Sequence, residues 1–470
     1  MRYTILSTPF RKQYLLLLLA GLLLSGCKKF LELPPPVNEL VSDVVFDNDA
    51  SATAAVIGIY ADMANSTVPN QFTESGISLY AGMCADEIKF YSPGVKQEFV
   101  NNQITEINHA YISSNFWDRA YKFIYTANLC MEGLTRSTKV SSNVKTMLMG
   151  ECKFIRAFCF FHLVNLFGDV PLTVVSDYKV TSELPRAPVA DVYQRIITDL
   201  TEAREALGDG YPSTGKVRPN KATVNALLAR VYLYQHDWPN AEALATAVIE
   251  SVNPLYSLLA DLSTVFLKNS DEAIWQLLPT SPVNNTAEGN LVLPGTPTST
   301  PTYLLTDSLV NAFEPNDLRK TNWVATRTFQ GLPYSYPYKY KIKTGTTITE
   351  YYMVFRLAEQ YLVRAEARVK QNKLELAAAD INMIRTRAGL PNTTAVTPAA
   401  LLSAIEQERR VELFAEWGNR WYDLKRGDFN HMDSIMKLKP VVNWQPTDVL
   451  WPIPISQLRA NPRLTQNPGY

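Results

Sequence analysis

Apolar residues recur along most of this chain at helical spacing. Val56, Ile59, Tyr60 and Met63 share one face of a helix predicted from about Ala50 to Ala64, with Asp47 or Asn48 placed to cap it. Residues 66–110 lose the period, carry turn formers and read as irregular. The pattern returns at Asn115, where Trp117, Tyr121, Ile124 and Asn128 fall on one stripe. The stretch "ECKFIRAFCFFHLVNLFGDVPL" is apolar on nearly every side, which predicts a buried helix. Gly168 is placed as the left-handed residue past its end, and Pro171 prevents continuation. Val189 to Leu207 reads as a further amphipathic helix, with Val192, Ile196, Asp199 and Ala203 at helical spacing.

Two segments then follow one scheme. In "NALLARVYLYQHDWPNAEALATAVIESVNPLY", Ala229, Tyr232, Trp238, Ala241 and Val248 stand where a tetratricopeptide repeat of about 34 residues needs them. Pro239 suits the start of the second helix, because its missing N–H is unpaired there in any case. "FRLAEQYLVRAEARVKQNKLELAAADINMIRTRAGLP" repeats the spacing with Ala365, Leu374, Ala377 and Ile384. Together with the helix pair at 115–167, these predict a helical-repeat core. Residues 279–350 differ in kind: Pro, Thr, Asn and Gly without helical period, a length that in a compact domain marks function or disorder. Within them Tyr334, Tyr336, Tyr338, Tyr340 and Ile342 alternate strictly, so one face of a strand would carry them all. That face would either pack against the helices or form a ligand platform. "AIEQERRVELFAEWGNRWYDLKRGD" predicts a helix stopped near Gly418 and ion-paired along one side, for example Glu406 with Arg410.

The N-terminus has its own pattern. The apolar run Tyr14–Leu24 is shorter than the roughly 20 residues a helix needs to cross a bilayer. Arg2, Arg11 and Lys12 precede it, and Ser25 and Gly26 follow, as in a secretory signal peptide. Leu24-Ser25-Gly26-Cys27 resembles the bacterial lipobox, which predicts a signal peptide over residues 1–26, acylation of Cys27, and an anchor and tether over 27–40. The main domain is then 41–470.

Composition narrows the chemistry. Lys plus Arg number 45, as do Asp plus Glu, and no basic stripe of the kind nucleic acid requires is present. Cys84, Cys130, Cys152 and Cys159 form no C-x-x-C pair; buried thiols are expected, with a Cys84–Cys130 disulfide open in an exported protein. His109, His162, His236 and His431 are scattered, and His162 sits in the apolar helix as a core histidine. Asp47-Asn48-Asp49 lacks the downstream glycine and glutamate of a calcium loop. No catalytic residue, metal site or cofactor is predicted.

Several blocks together resemble the SusD/RagB family of Bacteroidetes outer-membrane lipoproteins: the lipobox at Cys27, "RAFCFFHLVNLFGDVPL", "RPNKATVNALLARVYLY", "FRLAEQYLVRAEA", "ERRVELFAEWGNRWYDLKR" and "LWPIPISQLRANPRLTQNPGY". The resemblance implies a mainly α, tetratricopeptide-like scaffold with an irregular, loop-rich, ligand-facing lobe (mainly 66–110 and 279–350). It further implies a non-catalytic protein that captures oligosaccharides for a SusC-like TonB-dependent transporter, on which it acts as a lid. The alternatives are capture of peptides, as in RagB-like members, or a periplasm-facing scaffold that binds proteins. Acidic residues usually follow the acylated cysteine in surface-exported members; here Lys28 and Lys29 come first and Glu32 stands alone, so the surface location rests on the family.

Sugars present apolar C–H faces that lie on aromatic rings, with neighbouring polar groups bonding the hydroxyls. Trp117, Trp238, Trp275, Trp417, Trp421 and Trp451 lie in helical or motif segments and are expected in the core, whereas Trp323 and Trp444 lie in irregular ones and are candidates for exposure. The predicted ligand-binding residues are Asp86, Phe90, Tyr91, Trp323, Tyr334 and Tyr336.

Overall fold

The helix expected from Ala50 forms as α1, Asp49–Met63, and Asn48 is its cap, the side-chain oxygen accepting from the Ser51 N–H at 2.9 Å. The computed structural model describes residues 44–64, 72–281, 283–296, 298–439 and 444–470. The predicted signal peptide, Cys27 and the tether lie outside the described residues. The longer helices that follow are α2 (Asp118–Arg136), α3 (Ser142–Phe167), α4 (Val189–Ala206), α5 (Lys221–Tyr234) and α6 (Trp238–Ile249). After the lobe come α7 (Leu357–Lys370), α8 (Leu374–Arg387), α9 (Pro398–Glu412), α10 (Asn419–Arg426) and α11 (Phe429–Met436).

Each long helix packs on its neighbours in the chain: α2 on α3, α5 on α6, α6 on α7, and α7 on α8 and α9. The fold is thus mainly α and tetratricopeptide-like. Helix α3 runs through its middle, and Phe158 meets Trp275, Trp417 and Phe355 edge-on at 5.3–6.2 Å between centroids. Gly168 ends it with φ +73°, a conformation costly for other residues. His162 is fully buried beside the Tyr422 hydroxyl at 3.1 Å; burial, and then Arg230, push its pKa well below the usual value, so it is a neutral core residue. Only its Nδ1 is bonded, for Nε2 has no partner among the described residues.

The described strands form two-stranded antiparallel pairs. They are β1 (Ile88–Phe90) with β5 (Tyr303–Leu305), β2 (Val170–Pro171) with β3 (Arg186–Ala187), β4 (Ala273–Leu277) with β8 (Tyr352–Arg356), and β6 (Val324–Phe329) with β7 (Leu332–Pro337).

Four expectations need correction. Within the stretch expected to be irregular, the described residues 72–110 are more ordered than expected: Phe72–Ala81 is helical with a break at Glu74–Ser75, and Gln97–Asn101 and Glu106–Ile112 are short helices. Every residue of Phe72–Ala81 is buried, so no one-sided apolar period exists to be read. The tyrosine strand ends at Pro337, because its partner begins at Val324, opposite Pro337. Beyond it Tyr340 turns inward, against Phe266 at 5.3 Å. The helix expected to stop near Gly418 stops at Glu412, because the buried Lys339 ammonium takes the carbonyls of Glu412 and Phe414, both at 2.8 Å. The charge run pairs across the molecule rather than along its helix. Glu412 meets Arg319, Arg356 and Arg387, and Glu408 meets Arg319 and Arg385. Glu406 meets Arg420 and His431, and Arg410 meets Asp86. The four described cysteines are buried free thiols, without a Cys84–Cys130 bridge.

Candidate functional site

In the lobe, Gln330 (φ +49°) and Gly331 (φ +79°) make the tight turn between β6 and β7, the left-handed pair that matches strand twist in a two-residue hairpin. Strand β5 lies against β7 and pairs with β1 in the register Phe90↔Tyr303, so the ends of β1 and β7 come together. The Tyr91 N–H continues the ladder to the Thr302 carbonyl at 2.9 Å. There Tyr91 and Tyr334 meet edge-to-face, 5.5 Å between centroids and 82° between planes. Tyr91 is 42% exposed and Tyr334 half-buried, so the pair offers ring surface to solvent.

Behind it, Phe90 packs on Tyr303 at 5.2 Å. The Lys96 ammonium donates to the Tyr303 hydroxyl at 2.8 Å and stands 5.0 Å from the Phe90 ring centre. Gln97 donates to the Phe90 and Ser92 carbonyls at 2.8 and 3.1 Å, fixing the chain on either side of Tyr91. Opposite Tyr334 in the hairpin is Arg327, whose guanidinium donates to the Thr296 and Ser299 carbonyls at 2.7 and 2.9 Å. A loop is thereby pinned beside the tyrosine pair. Arg327, Lys96 and Tyr303 were not among the predicted site residues. Lys96 and Tyr303 meet through strand pairing between segments 207 positions apart, and Arg327 reaches carbonyls 28 and 31 positions away, which no local pattern signals.

The predicted residues divide. Tyr91 and Tyr334 come together, with Phe90 in support. Tyr336 is buried (8% exposed) and packs on Tyr338, so it supports the hairpin. Trp323 is not available to a ligand: it is fully buried, its N–H donating to the Leu262 carbonyl at 3.0 Å. The Lys339 ammonium lies 5.0 Å from its ring and Arg356 5.6 Å, so Trp323 covers the buried ion network. Trp444 is likewise buried, edge-on to Trp421, whereas Trp238 is half-buried and stacked on His236. Asp86 accepts from Arg420 at 2.8 Å and Arg410 at 2.5 Å. Burial would raise its pKa, but Arg420 and Arg410 outweigh it and hold the carboxyl below the usual range. Asp86 also lines a cavity of about 350 Å³ with Ile88, Lys89, Val100 and Leu438. Its place there is that of a charged anchor between the lobe and α9–α10.

A family model described as "Starch-binding associating with outer membrane" matches residues 29–233, and one described as "SusD family" matches residues 315–470. The chain belongs to the SusD/RagB family. SusD-like protein P25 of Formosa agariphila is 25% identical over 95% of this chain and 97% of its own length. A SusD superfamily protein from Bacteroides vulgatus superposes with TM-score 0.78 at 21% identity, covering 90% of this chain and all of that one. A protein described as "Laminarin binding SusD-like protein" superposes with TM-score 0.74 at 23% identity, covering 90% and 100%. This SusD-like chain thus stands in a family of carbohydrate-binding, outer-membrane nutrient-binding proteins. Among the described residues no helix is long and apolar enough to cross a membrane.

Proposed function

We propose that this chain captures oligosaccharides at the outer membrane and delivers them, without turnover, to a SusC-like TonB-dependent barrel. The observation that carries the reading is the partly exposed Tyr91–Tyr334 pair, held on a small sheet and flanked by a pinned loop. Edge-to-face rings present an angled apolar surface on which successive sugar rings lie, and the surrounding polar groups bond hydroxyls. Acylation at Cys27 would hold the protein at the membrane, with the lobe facing the ligand and the repeat face toward the barrel. A protein that binds but does not transport needs such a channel, and tethering keeps it near the mouth as a hinged lid.

A shallow aromatic site gives modest affinity, with Kd on the order of 10 μM to 1 mM, roughly 4–7 kcal/mol. Calorimetry of the mature chain against laminarin and starch oligosaccharides, followed by other neutral glycans, tests the reading. Heats that grow with chain length and fall away in Tyr91→Ala support it. Binding of peptides with no heat from any glycan would transfer the protein to the peptide-capturing reading.

A further inference from the structure

A second cleft lies outside the lobe. One wall is the helix stripe Tyr121 and Tyr125, with Asp118 at its head on α2; the second is the turn carrying Tyr178; the third is the C-terminal segment with Gln457 and Asn461. Its volume is about 360 Å³, at the small end of the range for ligand sites. Tyr125 is 42% exposed and Tyr178 78%, an unusual display of ring surface around one concavity. Tyr121, by contrast, is fixed, its hydroxyl donating to the Pro171 carbonyl at 2.8 Å.

The polar lining selects the ligand. Asp118 is the sole carboxyl in the lining, and neither Lys, Arg nor His joins it, so an anion finds no counter-charge. The Asp118 carboxylate accepts one bond on each oxygen, from Gln457 Nε2 at 3.0 Å and from Ser113 Oγ at 3.0 Å. A carboxylate has about four acceptor positions, so lone pairs remain for a pair of neighbouring hydroxyls. Rings with apolar faces over tyrosines, beside an acceptor for adjacent hydroxyls, describe a neutral sugar.

We propose that this cleft is a second saccharide-binding site, taking one or two pyranose rings of a neutral glycan independently of the lobe. The two sites share no chain segment: the cleft is built from residues 117–125, 171–182 and 457–464. A polysaccharide that reaches both would be held by avidity, since the second contact is intramolecular.

The test uses the mature chain with two double variants, Tyr91→Ala/Tyr334→Ala in the lobe and Tyr125→Ala/Tyr178→Ala in the cleft. The probes are laminarihexaose, maltohexaose, cellohexaose, xylohexaose and mannohexaose by calorimetry, with the corresponding polymers in native affinity gels. Because Tyr125 and Tyr178 are exposed, the cleft variant should melt like wild type, which a thermal scan checks. The lobe variant should keep measurable binding to a glycan that wild type binds, and combining it with the cleft substitutions should abolish that remainder. In gels the cleft variant alone should lose about tenfold in affinity for the polymer. Complete loss of binding in the lobe variant, or remaining binding untouched by the cleft substitutions, overturns the second site and leaves the lobe reading standing. Peptide binding in the cleft, or a wild type that binds no glycan probe, also overturns it.

Discussion

Tyr91 and Trp323 both lie in stretches with weak periodicity, and burial separates their roles. Truncating Tyr91 or Tyr334 removes ring surface from a solvent-facing pair. Each alanine variant should therefore weaken glycan binding by about 1 kcal/mol, roughly fivefold, with little change in melting temperature. Trp323→Ala should do the reverse: a fully buried ring is lost over a charge network, at a cost of about 3–5 kcal/mol in folding stability. Denaturant unfolding beside calorimetry separates the two classes; a Trp323→Ala protein of normal stability that cannot bind sugar would contradict the assignment.

Glu87 supplies a residue-scale pH test. Burial, and then the neighbouring Asp86 carboxylate, push its pKa up to about 8. A carboxyl raised above its unfolded value of about 4.3 takes up a proton on folding at neutral pH. Its contribution is complete below about pH 4.3 and is lost as pH rises through about 8. Glu87→Gln, neutral throughout, should become progressively more stable than wild type between about pH 5 and pH 8.5. Unfolding midpoints at the two ends check this; an unchanged gap would refute it.

At the scale of elements, α8, α9 and β8 are joined by charge as well as by apolar packing. Glu412, at the end of α9, meets Arg356 at 2.5 Å, Arg319 at 3.2 Å and also Arg387. Burial alone would raise its pKa, yet Arg387, Arg356 and Arg319 prevail and hold it well below the usual carboxylate range. The stability it contributes is present above its unfolded pKa of about 4.3 and is lost as pH falls below that value. Glu412→Gln leaves three buried guanidiniums short of a partner charge and should cost about 3–5 kcal/mol at neutral pH. Part of that difference should vanish on acidification below about pH 4. Urea unfolding at both pH values measures it, and a variant as stable as wild type at pH 7 would remove the network from the account of how these elements are held.

For the whole molecule, the proposed anchor and lid make a paired prediction. Cys27→Ser should abolish acylation and release the protein from membranes, read as loss of incorporated palmitate and movement to the soluble fraction. The acylated wild type, extracted in mild detergent, should bring down a SusC-like barrel in near-equal amounts. Ligand enclosed between the two would favour a closed lid only if it contacts both, since a population shift requires differential affinity. Recovery of this chain alone, with unimpaired glycan uptake after its deletion, would remove the lid from the reading and favour a protein-binding scaffold.

What the sequence determined by itself is the part of the fold that repeats locally. Helix α3, the pairs α5–α6 and α7–α8, the Asn48 cap and the Gly168 stop were legible because each depends on residues within a few turns of one another. Tyr91 and Tyr334 were nominated from the same reading, as aromatics in stretches without helical period. Only the tertiary structure decided which nominated aromatics face solvent. Trp323 and Tyr91 look alike along the chain, but one lies over Lys339 and Arg356 and the other at the end of a strand pair. Nor did the charge run reveal its partners, because Arg319, Arg356 and Arg387 reach it from separate parts of the chain. The cleft at Tyr125 and Tyr178 needs three segments brought together, the last within 14 residues of the C-terminus. Spacing along a helix records which face is apolar. Burial of a particular ring and pairing of a particular charge depend on what packs against that face, and this is set by contacts distant in sequence.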